Sequence, residues 1–206
     1  MTTEPTAAAS PADLSEAVKK AGPYNSLWTP SALNAATALL ADLLAAAQRH
    51  GVTAADWIED GENRLIQAVT TGLVANYNRA SQAELDDPLA LLTGAAAACD
   101  LRVLGSGAEE DGAYVMLARQ PETPAWGPGG QSPLLVILAR EEDAWWMEGL
   151  GPWKWRLRPH LPAGVTVPAY TTPWADIVAP PPSADVAAEV FAIAGQVLAG
   201  TVTLQS

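Results

Sequence analysis

The chain is poor in cysteine, histidine, phenylalanine and positive charge, and each shortage narrows what it can be. A single cysteine, Cys99, stands among 206 residues, so no intrachain disulfide can form and a cross-linked mini-scaffold is excluded. Cys99 follows four alanines, 95–98, at the end of an apolar stretch, which favours a buried, inert thiol over a nucleophile. The two histidines, His50 and His160, lack the clustered cysteines of a structural zinc site. With one Phe in the chain, aromatic packing falls to Trp and Tyr.

Positive charge is the scarcest resource. Eleven Lys and Arg face 23 Asp and Glu, a net charge of −12 with an isoelectric point near 4.4. Nucleic-acid binders work by displacing counterions with a broad basic surface, so no nucleic-acid partner is expected. Anionic membrane surfaces are disfavoured on the same ground. Asn34 and Asp42 interrupt the most apolar helical stretch, so no membrane span of about 20 apolar residues is expected. The first ten residues lack the basic start and apolar run of a secretory signal. A cytoplasmic location follows as the expectation.

Against that background, four of the eight Trp residues fall within positions 143–160. Trp145 and Trp146 read as part of one strand, 145–148, and a Gly/Pro turn at 149–152 leads to a second, 153–158. Together they predict a Trp-rich hairpin. In its second strand Trp153, Trp155 and Leu157 alternate with Lys154, Arg156 and Arg158, and a period of two sends the sets to opposite faces. Three cations on one strand face are a local exception in an acidic chain.

The order of the remaining signals predicts an α+β fold: an N-terminal helical layer packed on a mainly antiparallel β-meander, with a C-terminal helix. Residues 1–9 read as a disordered tail and 10–206 as one domain. Its helical part is 10–99, its sheet part 100–168, its Pro-rich loop 159–182 and its last helix 183–200. Ser10-Pro11, Thr29-Pro30 and Asp87-Pro88 each pair a capping residue with a proline suited to the first helical position. Apolar stripes predict helices over 30–50 and 62–79, which would pair antiparallel. Residues 23–28 read as a linker. Beyond residue 100 the period becomes strand-like. A short strand at 101–104 ends in the turn-like Gly105-Ser106-Gly107, and 113–119 follows. The apolar run 133–139 predicts a central strand. An edge strand is expected at 165–167 and a last short strand at 201–204, with Trp174 as a docking side chain.

No catalytic set accompanies this frame. Gly105-Ser106-Gly107 lacks the nucleophile-elbow pattern, and the Gly-rich stretch 127–130 precedes a strand, whereas a phosphate loop opens a helix. Asp56, Glu59, Asp60 and Glu62 are acidic residues in a first helical turn, as dipole matching favours, and read as a solvated face. No metal, no cofactor and no catalytic residue is expected, and the balance is against an enzyme. The leading expectation is a non-enzymatic binding protein whose contact surface comprises Lys154, Arg156, Arg158, Trp153, Trp155 and Trp146. Its partner would be a protein or a small anionic ligand. A small-molecule pocket between sheet and helices, enzymatic or not, is the first alternative, and an oligomer subunit the second. For the cations the dull reading is cross-strand pairing with Glu141, Glu142 or Glu148. For the Trp residues it is simple core filling.

Overall fold

A computed structural model describes residues 10–23, 25–51, 64–80, 85–109, 111–118, 133–142, 150–160 and 173–204. Among them five helices and a six-stranded mixed sheet make an α+β fold. The chain divides into two compact units, one of residues 1–24 and 30–76, the other of 25–29 and 77–206.

In the first unit α1, Pro11–Ala21, begins with a complete capping box: Asp13 N donates to Ser10 Oγ, and Ser10 N donates to Asp13 Oδ2 at 3.1 Å. Leu14 and Val18, one turn apart, form its buried stripe. Helix α2, Pro30–Gln48, buries Ala32, Ala36, Leu40 and Leu44 at a strict four-residue spacing and packs along α1. By length and composition α2 is long and apolar enough to cross a membrane, contrary to the expectation drawn from Asn34 and Asp42, and 22% of its apolar window is buried. The third helix, α3, Arg64–Ala80, buries Ile66, Val69 and Thr70. The extended seam of α2 is therefore with α1, and the expected antiparallel pairing of α2 with α3 is not the dominant contact.

The second unit holds the sheet, ordered β1-β6-β5-β4-β3-β2. Strands β2, Arg102–Glu109, β3, Gly112–Ala118, β4, Leu134–Glu142, β5, Leu150–Pro159, and β6, Ala175–Val178, form an antiparallel meander. Strand β1, Ser26–Trp28, adds to the far edge parallel to β6. Two helices, α4, Pro88–Ala98, and α5, Ala184–Leu198, pack with one face of this sheet. The expected central strand is β4, flanked by β3 and β5.

Helix α4 opens at Asp87, whose carboxylate accepts from Ala90 N at 2.8 Å, with Pro88 in the first turn. It closes with Leu101 N donating to Ala96 O and Asp100 N to Ala97 O, while Asp100 adopts φ 52°. That is a Schellman ending with aspartate in the left-handed position that glycine normally takes. Helix α5 ends the same way with Gly200, φ 76°, in that position. Residues 201–204 do not form the expected strand. Thr201 N, Val202 N and Thr201 Oγ1 all donate to Gln196 O, folding the chain back on its own helix.

Three further differences from expectation concern strands. Residues 26–28 pair in the sheet as β1, and 175–178, assigned to a Pro-rich loop, are β6. Strand β2 does not stop before Gly105 but continues to Glu109, with a bulge between Val103 and Gly105. A ladder partner explains that extension. Gly107 lies opposite Tyr114, and a Cβ there would sit 2.8 Å from Tyr114 Cε1, so the ring rests where only glycine leaves room. Residues 145–148 and 165–167 lie outside the described residues, and β5 pairs instead with β4 and β6.

The core lies between the sheet and helices α4 and α5. Val115, Leu117, Leu134, Val136, Leu138, Trp155 and Leu157 line it from the strands, and Leu92, Ala96, Val186, Val190, Phe191 and Ala194 from the helices. Phe191, the chain's one phenylalanine, is its largest fully buried side chain.

Candidate functional site: a cationic sheet face

The register of β5 separates its two sets of side chains as the alternation predicts. Trp153, Trp155 and Leu157 join the core. Trp155 keeps 2% exposure and Trp153 9%, so neither offers a ring to a partner. Trp155 Nε1 is buried without a hydrogen-bond partner. Trp153 lies at the margin, with the Arg140 guanidinium 5.0 Å from its ring centroid. Trp146 lies outside the described residues.

Lys154, Arg156 and Arg158 occupy the opposite, outer face. Arg158 is exposed, and Lys154 and Arg156 are half-buried. Cross-strand register aligns Gly107, Tyr114, Ile137, Arg156, Asp176 and Ser26 in one row across the sheet. The neighbouring row runs Gly105, Met116, Leu135 and Arg158. The cations therefore border an apolar strip of Tyr114, Met116, Leu135 and Ile137.

Arg156 is the braced member of the set. Its Nε donates to Asp176 Oδ1 at 2.7 Å, and its guanidinium lies 5.3 Å from the Trp174 ring centroid. Both anchors come from β6 or its entry, so the short strand that pairs with β5 also fixes its central cation. A guanidinium clamped by a carboxylate and an aromatic face loses little further freedom when it meets a ligand. Asp176 is thus a cross-strand partner of Arg156; the side chains of Glu141, Glu142 and Glu148 lie outside the described residues. Asp176 is the site residue that sequence reasoning missed, and Trp174, expected as a docking side chain, is the ring that Arg156 covers. The signal for Asp176 was the alternation of Trp174, Asp176 and Val178 with Ala175 and Ile177, a strand pattern hidden by flanking prolines.

Other sequence candidates are placed more simply. Cys99 is half-buried against the core, its Sγ 3.8 Å from Ala188 O. His50 sits exposed beyond the end of α2, and His160 N donates to Pro133 O at 2.7 Å. Asp56, Glu59, Asp60 and Glu62 lie outside the described residues, as do residues 127–130. Among the described residues no group of three His, Cys, Asp or Glu side chains is arranged to hold a metal ion. No protein-family model, curated protein or solved structure matches the chain.

Proposed function

We propose that this is a non-enzymatic, cytosolic binding protein whose outer sheet face receives an extended acidic segment of a protein partner. The supporting observation is Arg156, half-exposed yet held by Asp176 and Trp174 between two further cations. Same-face residues on a strand repeat every ~6.8 Å, so Lys154, Arg156 and Arg158 present a charge ladder of that spacing. An extended chain with Asp or Glu at every second position carries the same repeat with the opposite sign. The half-buried side chains of Tyr114, Met116 and Ile137 lie beside this ladder, and Leu135 in the same strip is buried. The chain's overall charge of −12 repels acidic chains elsewhere on its surface, which confines them to this row. In this reading Trp153 and Trp155 build the scaffold and the contact is made by the cations.

A short peptide alternating Glu and Thr is the direct probe. It is expected to bind the wild-type chain with an affinity that falls as salt rises. Arg158→Gln should weaken it by about fivefold, the equivalent of ~1 kcal/mol for an exposed ion pair. A peptide alternating Gln and Thr should not bind. Equal affinity for the Glu and Gln peptides would remove the proposal.

A second reading has one observation of its own. The buried, unpartnered Nε1 of Trp155 lies in the layer between the sheet and α4 and α5. A small molecule bearing a hydrogen-bond acceptor would satisfy that donor, and its entry would shift Trp fluorescence and raise the melting temperature.

A further inference from the structure

The sheet has two edges of different character. Strand β1 is three residues long and runs into Pro30, which limits what can pair with it. Strand β2 is eight residues long and forms the last strand on the other side. Proteins usually guard such an edge with lysine, proline, an inward-pointing charge or a bulge. Between Arg102 and Glu109, β2 has a bulge but no lysine, proline or charge, only Val103, Leu104, Gly105, Ser106, Gly107 and Ala108. Val103 and Leu104 are 38% and 40% exposed, unusual for their size in this chain, and Ser106 and Ala108 are exposed too.

The register of β2 shows which occupant suits this edge. Pairing with β3 puts positions 102, 105, 107 and 109 on the outer face of the sheet and positions 103, 106 and 108 on the core side, with Leu104 as the extra residue of the bulge. Now let a second β2 lie antiparallel beside the first, related by a twofold axis through Ser106. Position 102 then meets 109 of the other copy, 103 meets 108, 105 meets 107, and 106 meets 106. Directly opposed residues in an antiparallel pair must share a face, and all of these do. A twofold antiparallel pair always opposes residues of one face, and the bulge between 103 and 105 decides that here 102 meets 109 and 103 meets 108. The chemistry agrees as well. A basic position faces an acidic one at both ends, Val103 faces Ala108, and glycine faces glycine where a close backbone approach helps.

We propose that β2 pairs with β2 of a second copy of this chain, joining two six-stranded sheets into one continuous sheet. This rests on an edge distinct from the cationic face and stands or falls independently of the peptide binding. One strand edge buries less than the about 1,200 Å² of a standard interface, so the association is weak and concentration-dependent.

Site-specific cross-linking tests both the pairing and its register. In a full-length Cys99→Ser background, Ser106→Cys places two cysteines directly opposite, with Cα atoms about 4.5–5.5 Å apart, within the span that a disulfide between the copies bridges. Ala108→Cys serves as the control, because its symmetry mate lies four positions along the ladder, roughly 13 Å away. Under mild oxidation the Ser106→Cys chain should give a covalent dimer, at a rate that rises with protein concentration, and the Ala108→Cys chain should not. Sedimentation of the wild-type chain should show reversible dimers at the upper end of a range reaching about 1 mM, and Val103→Lys should shift them to monomers. Equal cross-linking at positions 106 and 108 would overturn the register. A monomer throughout the range would overturn the dimer and leave the edge to a strand from a different protein.

Discussion

Replacing Arg156 and Asp176 with alanine, singly and together, measures how open the cationic face is. Their bond is short, 2.7 Å from Nε to Oδ1, yet the side chains retain 43% and 35% exposure. Bare Coulomb attraction at that separation is about 1.5 kcal/mol in bulk water and about 6 kcal/mol at an effective dielectric of ~20. Solvent screening and the ordering of two side chains reduce measured exposed pairs to about 0.2–1 kcal/mol. A half-exposed pair with good geometry belongs near the upper end of that range. Stacking on Trp174 adds ~0.5–1 kcal/mol. Arg156→Ala should therefore cost about 1–2 kcal/mol, Asp176→Ala about 1 kcal/mol or less, and the double variant less than their sum. Urea unfolding of the four chains gives the coupling directly, expected at about 0.5–1 kcal/mol and shrinking with added salt. A coupling of about 3 kcal/mol or more that ignores salt would refute the reasoning. It would mean that the pair is desolvated in solution, and a closed face cannot receive a partner.

Three further outcomes follow from the packing and the helix ends. Phe191→Ala, at a fully buried position between the sheet and α5, should lower unfolding free energy by about 3–5 kcal/mol in a denaturant titration. Asp100→Gly should raise it by about 0.5–1 kcal/mol, since glycine takes the left-handed φ of 52° without the Cβ penalty. Hydrogen bonds from the Ser10 side chain and backbone hold the Asp13 carboxyl below its ordinary value of 3.8. A depressed carboxylate stabilises the fold above its unfolded value, and that contribution disappears as pH falls through the folded one. The Asp13 carboxyl carbon, followed by NMR, should titrate below 3.8 in the wild-type chain and move back towards it in Ser10→Ala.

Much of the fold was legible where a local signal and the tertiary environment agree. The capping residues Ser10 and Asp87 start α1 and α4, and the apolar run of β4 lies inside the sheet. Legibility failed where pairing decides the structure. Strands β1 and β6 are three and four residues long and lie near prolines. A ladder with β6, some 150 positions away, makes β1 a strand, and β6 is held by ladders with both β1 and β5. Gly105 and Gly107 read as a turn because glycine weakens strands on average, yet here glycine is what accommodates the Tyr114 ring.

The site divides along the same line. Alternation in β5 showed that the cations and the tryptophans face opposite ways, but not which face is covered. That depends on α4 and α5, which come from distant parts of the sequence and cover Trp153, Trp155 and Leu157. Asp176, which braces Arg156, was invisible because its strand was.

NMR titration of the full-length chain with the alternating Glu and Thr peptide tests the functional proposal most directly. The Arg156 Nε–H resonance and the amides of 154, 156, 158 and 176 should move together and saturably, while core-facing Trp155 Nε1–H stays in place. Movement of Trp155 Nε1–H with the outer-face resonances unchanged would contradict it and put the binding site between the sheet and its helices instead.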